Sequence, residues 1–286
     1  MQSWGIIGRL TPMELLAASF ALGIVVIASL SRAGVLAFLS ASVPLAIGIA
    51  AIAIIAVRLG VSPRLARALA GVALTFAIYA GLPPLLETRV YNLIDGILWE
   101  MERSWLGTTA VEALQPFVSD RLTVFFVAVY AVHAPLFFVP ALIHWWRGRI
   151  ERAEVLLLSL SIAMHLGFVG YAIWPAYGPV RTIPDLVPLG NNLGTWVVAE
   201  YGVALGTFPS LHAGISSAVA IDAWRVSPRR GLMFTSIAIA IWASTLYLRY
   251  HWVPDLLAGL VLAIVSLLLA SRWHAAWSRL PRAATA

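Results

Sequence analysis

The chain has 286 residues, of which 61% are hydrophobic and only 11% charged, with a net charge of +6. That leaves too little polar surface to coat a soluble globule of this size, so lipid is the solvent for most of it. All 19 basic residues are arginines standing between apolar stretches, which report membrane topology and argue against a nucleic-acid partner; the lack of cysteine excludes disulfides, thiolate metal sites and cysteine nucleophiles.

In chain order, residues 1–12 lack a basic region and cleavage site, so the first apolar run reads as a retained span. Apolar length predicts spans at about 13–31, 35–57, 66–82, 122–146, 154–174, 210–224, 232–248 and 254–271. The expected fold is an all-α polytopic membrane helical bundle of about eight transmembrane helices, a six-helix core with N-terminal additions. Residues 1–65 hold the first two spans and 66–286 the remaining membrane domain. Eight spans place both termini on one side. Arg32, Arg89, Arg103, Arg121, Arg181 and Arg249 fall on the other side, and the remaining 13 arginines share the side of the termini. The arginine-rich side is the expected cytoplasmic one.

Two segments are not expected to span. Residues 87–118 carry Glu87, Arg89, Asp95, Glu100 and Arg103, with Val90, Leu93, Ile97 and Leu98 at helical spacing, which predicts an amphipathic helix in the outer interface. Residues 175–209 form a long outer loop rich in proline and glycine, of the length that is usually functional or disordered.

The polar residues concentrate at the outer ends of the last three spans. His251 and Asp255 lie one helical turn apart if Pro254 opens the last helix, so the carboxylate can hold one ring nitrogen and leave the other free. Ser210 and His212 stand at the start of another helix running the same way. Helix N-termini present unpaired N–H groups and the positive end of the dipole, which favours phosphate. Arg181 and Arg249 are candidate partners for its oxygens, with Ser210 beside them.

The pair Phe208-Pro209-Ser210-Leu211-His212-Ala213-Gly214 and His251-Trp252-Val253-Pro254-Asp255-Leu256-Leu257-Ala258-Gly259 resembles the type-2 phosphatidic acid phosphatase superfamily. Its Pro-Ser-Leu-His form is most similar to the inositol phosphorylceramide synthase branch. The likeness runs over about 122–271 and includes Trp174-Pro175-Ala176-Tyr177-Gly178-Pro179. It implies a phosphohistidine mechanism with His251 as nucleophile, Asp255 as its partner and His212 as general acid and then base, and it marks 66–286 as the catalytic unit. Water as acceptor gives a phosphatase and an alcohol gives a transferase. Two departures concern phosphate binding: the Lys-x6-Arg-Pro motif is missing, and Thr245 stands where an arginine is expected.

Competing readings attach to each residue. His212, His251 and Asp255 are otherwise wetted polar groups at helix ends, and Arg181 and Arg249 are otherwise snorkelling side chains. His133 and His165 read as structural, bonding neighbouring helices near the backbone freed by Pro135 and Pro140. Asp222 is expected to pair with Arg225 at i+3 spacing, and the tryptophans to form an aromatic belt. No metal or other cofactor is invoked, because a third convincing ligand is missing. The expected partners are a lipid phosphate or phosphodiester, an alcohol acceptor and membrane lipids. The composition suggests a bacterial inner (plasma) membrane, with both termini cytoplasmic and the site on the outer face. The rival from another class is a lipid-phosphate transporter or flippase that breaks no bond.

Overall fold

The computed structural model describes residues 11–12, 14–18, 32–86, 93–190 and 204–279. The main helices are α1 (Arg32–Arg58), α2 (Pro63–Ala80), α3 (Asp95–Leu106), α4 (Ala110–Leu114), α5 (Asp120–Ala131), α6 (Val139–Trp146), α7 (Ile150–Ile173), α8 (Leu211–Trp224), α9 (Pro228–Tyr247) and α10 (Val253–Ser278). An all-helical chain is what lipid demands, since every backbone polar group is then satisfied within its own segment.

Among the described residues, four helical stretches are long and apolar enough to cross a membrane: Leu36–Arg58, Asp120–Phe137, Ile150–Ile173 and Val253–Ser278. The spans expected at 66–82, 210–224 and 232–248 are helical as α2, α8 and α9 but fall outside that set. α8 has 14 residues, fewer than the roughly 20 of a full crossing. Of the first expected span only 14–18 is described, as helix, and its remainder lies outside the described residues.

The continuous span expected at 122–146 is divided. α5 ends at Ala131, a 3-10 turn covers Ala134–Phe137, and α6 begins at Val139. Pro135 and Pro140 explain the break: each lacks an amide hydrogen and crowds the preceding turn, and each stands at the start of a new segment, where no donor is needed.

The segment expected as one amphipathic helix is likewise two, α3 and α4, with 87–92 outside the described residues. Gly107 ends α3 at φ +77°, in the left-handed region that glycine enters cheaply. Thr109 and Glu112 then open α4 with a reciprocal capping box. α3 buries two of its carboxylates and leaves much of its apolar surface outside. Asp95, Leu98 and Glu102 face the protein, while Ile97, Trp99, Met101, Trp105 and Leu106 are exposed.

α7 is the central helix, buried over most of its length and packed against α2, α6, α8 and α10. Its two glycines admit the chain entering α8. A Cβ on Gly170 would lie 2.3 Å from Pro209 Cδ, and one on Gly167 2.7 Å from Leu211 Cδ2. α8 and α10 meet backbone to backbone, because a Cβ on Gly259 would lie 2.4 Å from the Ser210 carbonyl oxygen and 3.0 Å from the Gly214 nitrogen. Small residues at helix crossings are how membrane helices gain contact without a hydrophobic driving force. α1 contrasts with this core, leaving Ile47, Ile52, Ile54 and Ile55 exposed.

Glu154 of α7 accepts from Arg64 at 2.5 and 2.7 Å and lies 3.1 Å from His274 Nε2, joining α2, α7 and α10. Asp222 does not make the expected pair with Arg225, which is the exposed C-cap of α8. It accepts instead from Arg152 Nε at 2.9 Å and lies 2.7 Å from His144 Nε2. His165 bonds its own helix, with Nδ1 2.6 Å from the Ser161 carbonyl.

The close crossing of α8 and α10 predicts that Gly259→Val costs about 1–3 kcal/mol through overpacking, read as a lower unfolding midpoint in detergent. Gly48→Val, where nothing lies within 4 Å, is expected to leave the midpoint nearly unchanged. Equal shifts at both positions would refute the crossing.

Candidate active site

The site forms where α8 and α10 begin. Ser210 caps α8, its hydroxyl accepting from the Ala213 amide at 3.2 Å, and its own amide donates to the Asp255 carbonyl at 3.1 Å. That cross-helix bond sets the two N-termini side by side, with His212 in the first turn of α8 and His251 just before α10.

Asp255 lies in the first turn of α10, and its Oδ2 accepts from the Trp252 amide at 2.8 Å. The same oxygen lies 3.3 Å from His251 Nδ1, at the long end of a hydrogen bond. The other nitrogen, His251 Nε2, lies 3.2 Å from His212 Nδ1. Asp255, His251 and His212 are therefore linked in one row, with His251 and Asp255 buried. An imidazole oriented by a carboxylate at one nitrogen keeps the other available for attack or proton transfer.

A third histidine belongs to this neighbourhood. The helix break after α5 brings the His133 ring centroid to 4.4 Å from that of His212, and Tyr130 lies 4.6 Å away on the same ring. Among the described residues, His133 Nδ1 is buried without a hydrogen-bond partner. Reading the sequence as one unbroken span gave no sign of this approach. Pro135 and Pro140 were the available signal, since a broken helix redirects the side chains around the break.

Two carboxylates of α3 are buried supports of the site. Asp95 accepts from the Tyr177 and Gly178 amides, both at 2.8 Å, and from Trp252 Nε1 at 3.3 Å. Glu102 accepts from the Ala110 amide at 2.5 Å and the Val253 amide at 2.8 Å. Burial pushes the Glu102 carboxyl up, and the two amide donors offset part of that rise. α3 is thus tied to the residues that directly follow His251, and to the loop at Tyr177 and Gly178.

These bonds also change the electrostatics expected of α10. Its first amides donate to Glu102 and Asp255, so its N-terminus is already met by protein carboxylates. Ser210 is fully buried and serves as the cap of α8. Arg249, at φ +69°, is buried with its guanidinium donating to Gln115 Oε1 at 3.2 Å and to the Val187 carbonyl. Arg181 is exposed on the loop, 5.6 Å over the Tyr177 ring, and the neighbouring Val180 amide donates to the Arg249 carbonyl at 2.9 Å. The structure thus joins His212, His251 and Asp255 directly, and gives Ser210, Arg181 and Arg249 other contacts. No group of three or more histidine and carboxylate side chains suited to a metal occurs among the described residues.

The model of the PAP2 superfamily matches residues 97–269, more than half the chain. A PA-phosphatase related-family protein of Dictyostelium discoideum is 40% identical over 194 residues, covering 58% of this chain and 33% of that protein. The catalytic subunit of inositol phosphorylceramide synthase of Saccharomyces cerevisiae is 36% identical over 77 residues, 27% of this chain and 19% of that protein. Its counterpart in Schizosaccharomyces pombe is 31% identical over 102 residues, 36% and 24% respectively. The matches thus span a third or less of these relatives' own length. No solved structure matches the chain. With the family match extending from α3 to α10 and enclosing every residue of the histidine row, the chain belongs to the PAP2 superfamily, a family of phosphatases and phosphotransferases.

Proposed function

We propose that the chain breaks or transfers a phosphate ester of a membrane lipid through a phosphohistidine. The observation that carries this is the buried row Asp255, His251 and His212, with one His251 nitrogen on the carboxylate and the other facing His212. In the first step the His251 Nε2 lone pair attacks phosphorus, forming an N–P bond as the bond to the leaving oxygen breaks. His212 gives that oxygen a proton. In the second step His212 takes a proton from water or an alcohol, whose oxygen displaces His251 from phosphorus. Two displacements through a covalent intermediate replace one harder one.

Phosphate binding falls first to Arg181, exposed on the loop above the site. Arg249 and Ser210 enter with partners that a phosphate oxygen would displace. The names of the relatives favour a lipid phosphate or phosphodiester substrate. The Pro-Ser-Leu-His sequence at 209–212 favours transfer to an alcohol over hydrolysis. The arrangement that goes with this reading is eight spans, 66–286 as the catalytic unit, both termini cytoplasmic and the site on the outer face of a bacterial inner membrane. The exposed apolar side of α3 then flanks a lateral path for the lipid.

Purified protein given a panel of lipid phosphates and phosphodiesters, with and without alcohol acceptors, is expected to release or transfer the phosphoryl group. His251→Ala, still folded, is expected to lose about three orders of magnitude or more in rate. Rapid quenching with labelled substrate should trap an acid-labile phosphoryl-protein in the parent and none in the variant. A folded His251→Ala protein that retains turnover would overturn the mechanism.

Glu102→Gln tests the support beneath the site. A carboxamide oxygen can replace one acceptor, but its NH2 confronts the other amide, at a cost of about 1–3 kcal/mol. The expected result is a fall in kcat with little change in KM, because the variant moves the nucleophile and leaves the phosphate contacts in place. A loss confined to KM would place Glu102 in substrate binding instead.

A further inference from the structure

At the opposite end of α8 a second polar cluster is not used by the proposed chemistry. Asp222 lies ten residues beyond His212, which is about 15 Å along the helix. Asp222 is held by Arg152 and His144, and the Arg152 guanidinium also donates to the Asp222 carbonyl at 2.9 Å. Beside this cluster a cavity of about 200 Å³ opens between α6, α8 and α9, with His144, Arg147, Asp222 and Arg230 in its lining. Neither guanidinium of Arg147 or Arg230 has a carboxylate partner among the described residues. His144 presents Nε2 to Asp222, and its buried Nδ1 has no partner among the described residues.

We propose that this cavity binds the head group of an anionic phospholipid that also carries a hydroxyl, at a site separate from the histidine row. The charge balance favours an anion, because Arg152 already meets Asp222 and leaves Arg147 and Arg230 for phosphate oxygens. With Nε2 on the carboxylate, the buried Nδ1 of His144 is left without a partner among the described residues. A head-group hydroxyl, able to donate or to accept, supplies that partner, and a buried polar atom left unmet is costly. The remaining walls, including Ile143, Val219 and Phe234, are apolar and suit the first carbons of a lipid better than a free ion. Trp146 and Trp224 are exposed at this end of the bundle, as at a membrane interface. Basic pockets between membrane helices are a recognised setting for such heads.

The test is thermal unfolding of the full chain in neutral detergent with added short-chain phosphatidylglycerol. The parent is expected to show a saturable rise in midpoint, and phosphatidylcholine none. Arg147→Gln/Arg230→Gln is expected to need about tenfold or more lipid for the same rise, with Arg147→Lys/Arg230→Lys partly restoring it. Should the double variant fail to melt cooperatively, Arg230→Gln alone carries the comparison. His251→Ala is expected to keep the rise, which separates this site from the catalytic reading. An unchanged lipid response in the folded arginine variants, or an equal response to phosphatidylcholine, would overturn the proposal. The same rise with inorganic phosphate or glycerol 3-phosphate would make the occupant a soluble anion and overturn the lipid.

Discussion

The bond from the Ser210 amide to the Asp255 carbonyl, made possible by Gly259, holds the functional end of this molecule together. Two helices in lipid have no solvent-driven reason to associate, so they need backbone contact and polar bonds. Here both coincide: glycine removes the side chain that would separate α8 from α10, and the amide then reaches across. His212 and His251 meet as a result, although 39 positions separate them in sequence. Gly167 and Gly170 on α7 do the same for the segment leading into α8, so three helices fix the position of one imidazole.

A second layer of constraint comes from α3. Its inward carboxylates are satisfied almost entirely by backbone amides, four of them from three separate segments, at Ala110, at Tyr177 and Gly178, and at Val253. A carboxylate in this position does what a helix cap does, but between elements instead of within one. The outward side can then present Ile97, Trp99, Met101 and Trp105 beside the exposed Glu100 and Arg103, a mixture suited to a membrane interface.

How much of this was legible in the sequence follows from the range of each interaction. His251 and Asp255 are one turn apart, so their pairing is nearly a local property, and the all-helical membrane character follows from composition. The meeting of His212 with His251 was readable because one helical hairpin returns the chain to the same side. The supporting roles of Asp95 and Glu102 were not legible because their partners are N–H groups, which no letter of the sequence marks. Asp222 was assigned to Arg225, but Arg152 on α7 reaches it in space. His133 was hidden by a helix break whose prolines were noted for the carbonyls they free rather than for how they turn the chain.

The occupied start of α10 carries a consequence for the ionic state of any bound ester. A phosphomonoester approaches a double negative charge near neutral pH, whereas a phosphodiester carries one. Helix N-termini and basic side chains are the means of meeting the second charge. This chain has no lysine, and α10 gives its leading amides to Asp255 and Glu102. On the proposed reading, such a site meets a singly charged ester more readily than a doubly charged one, and each additional charge falls to arginine alone.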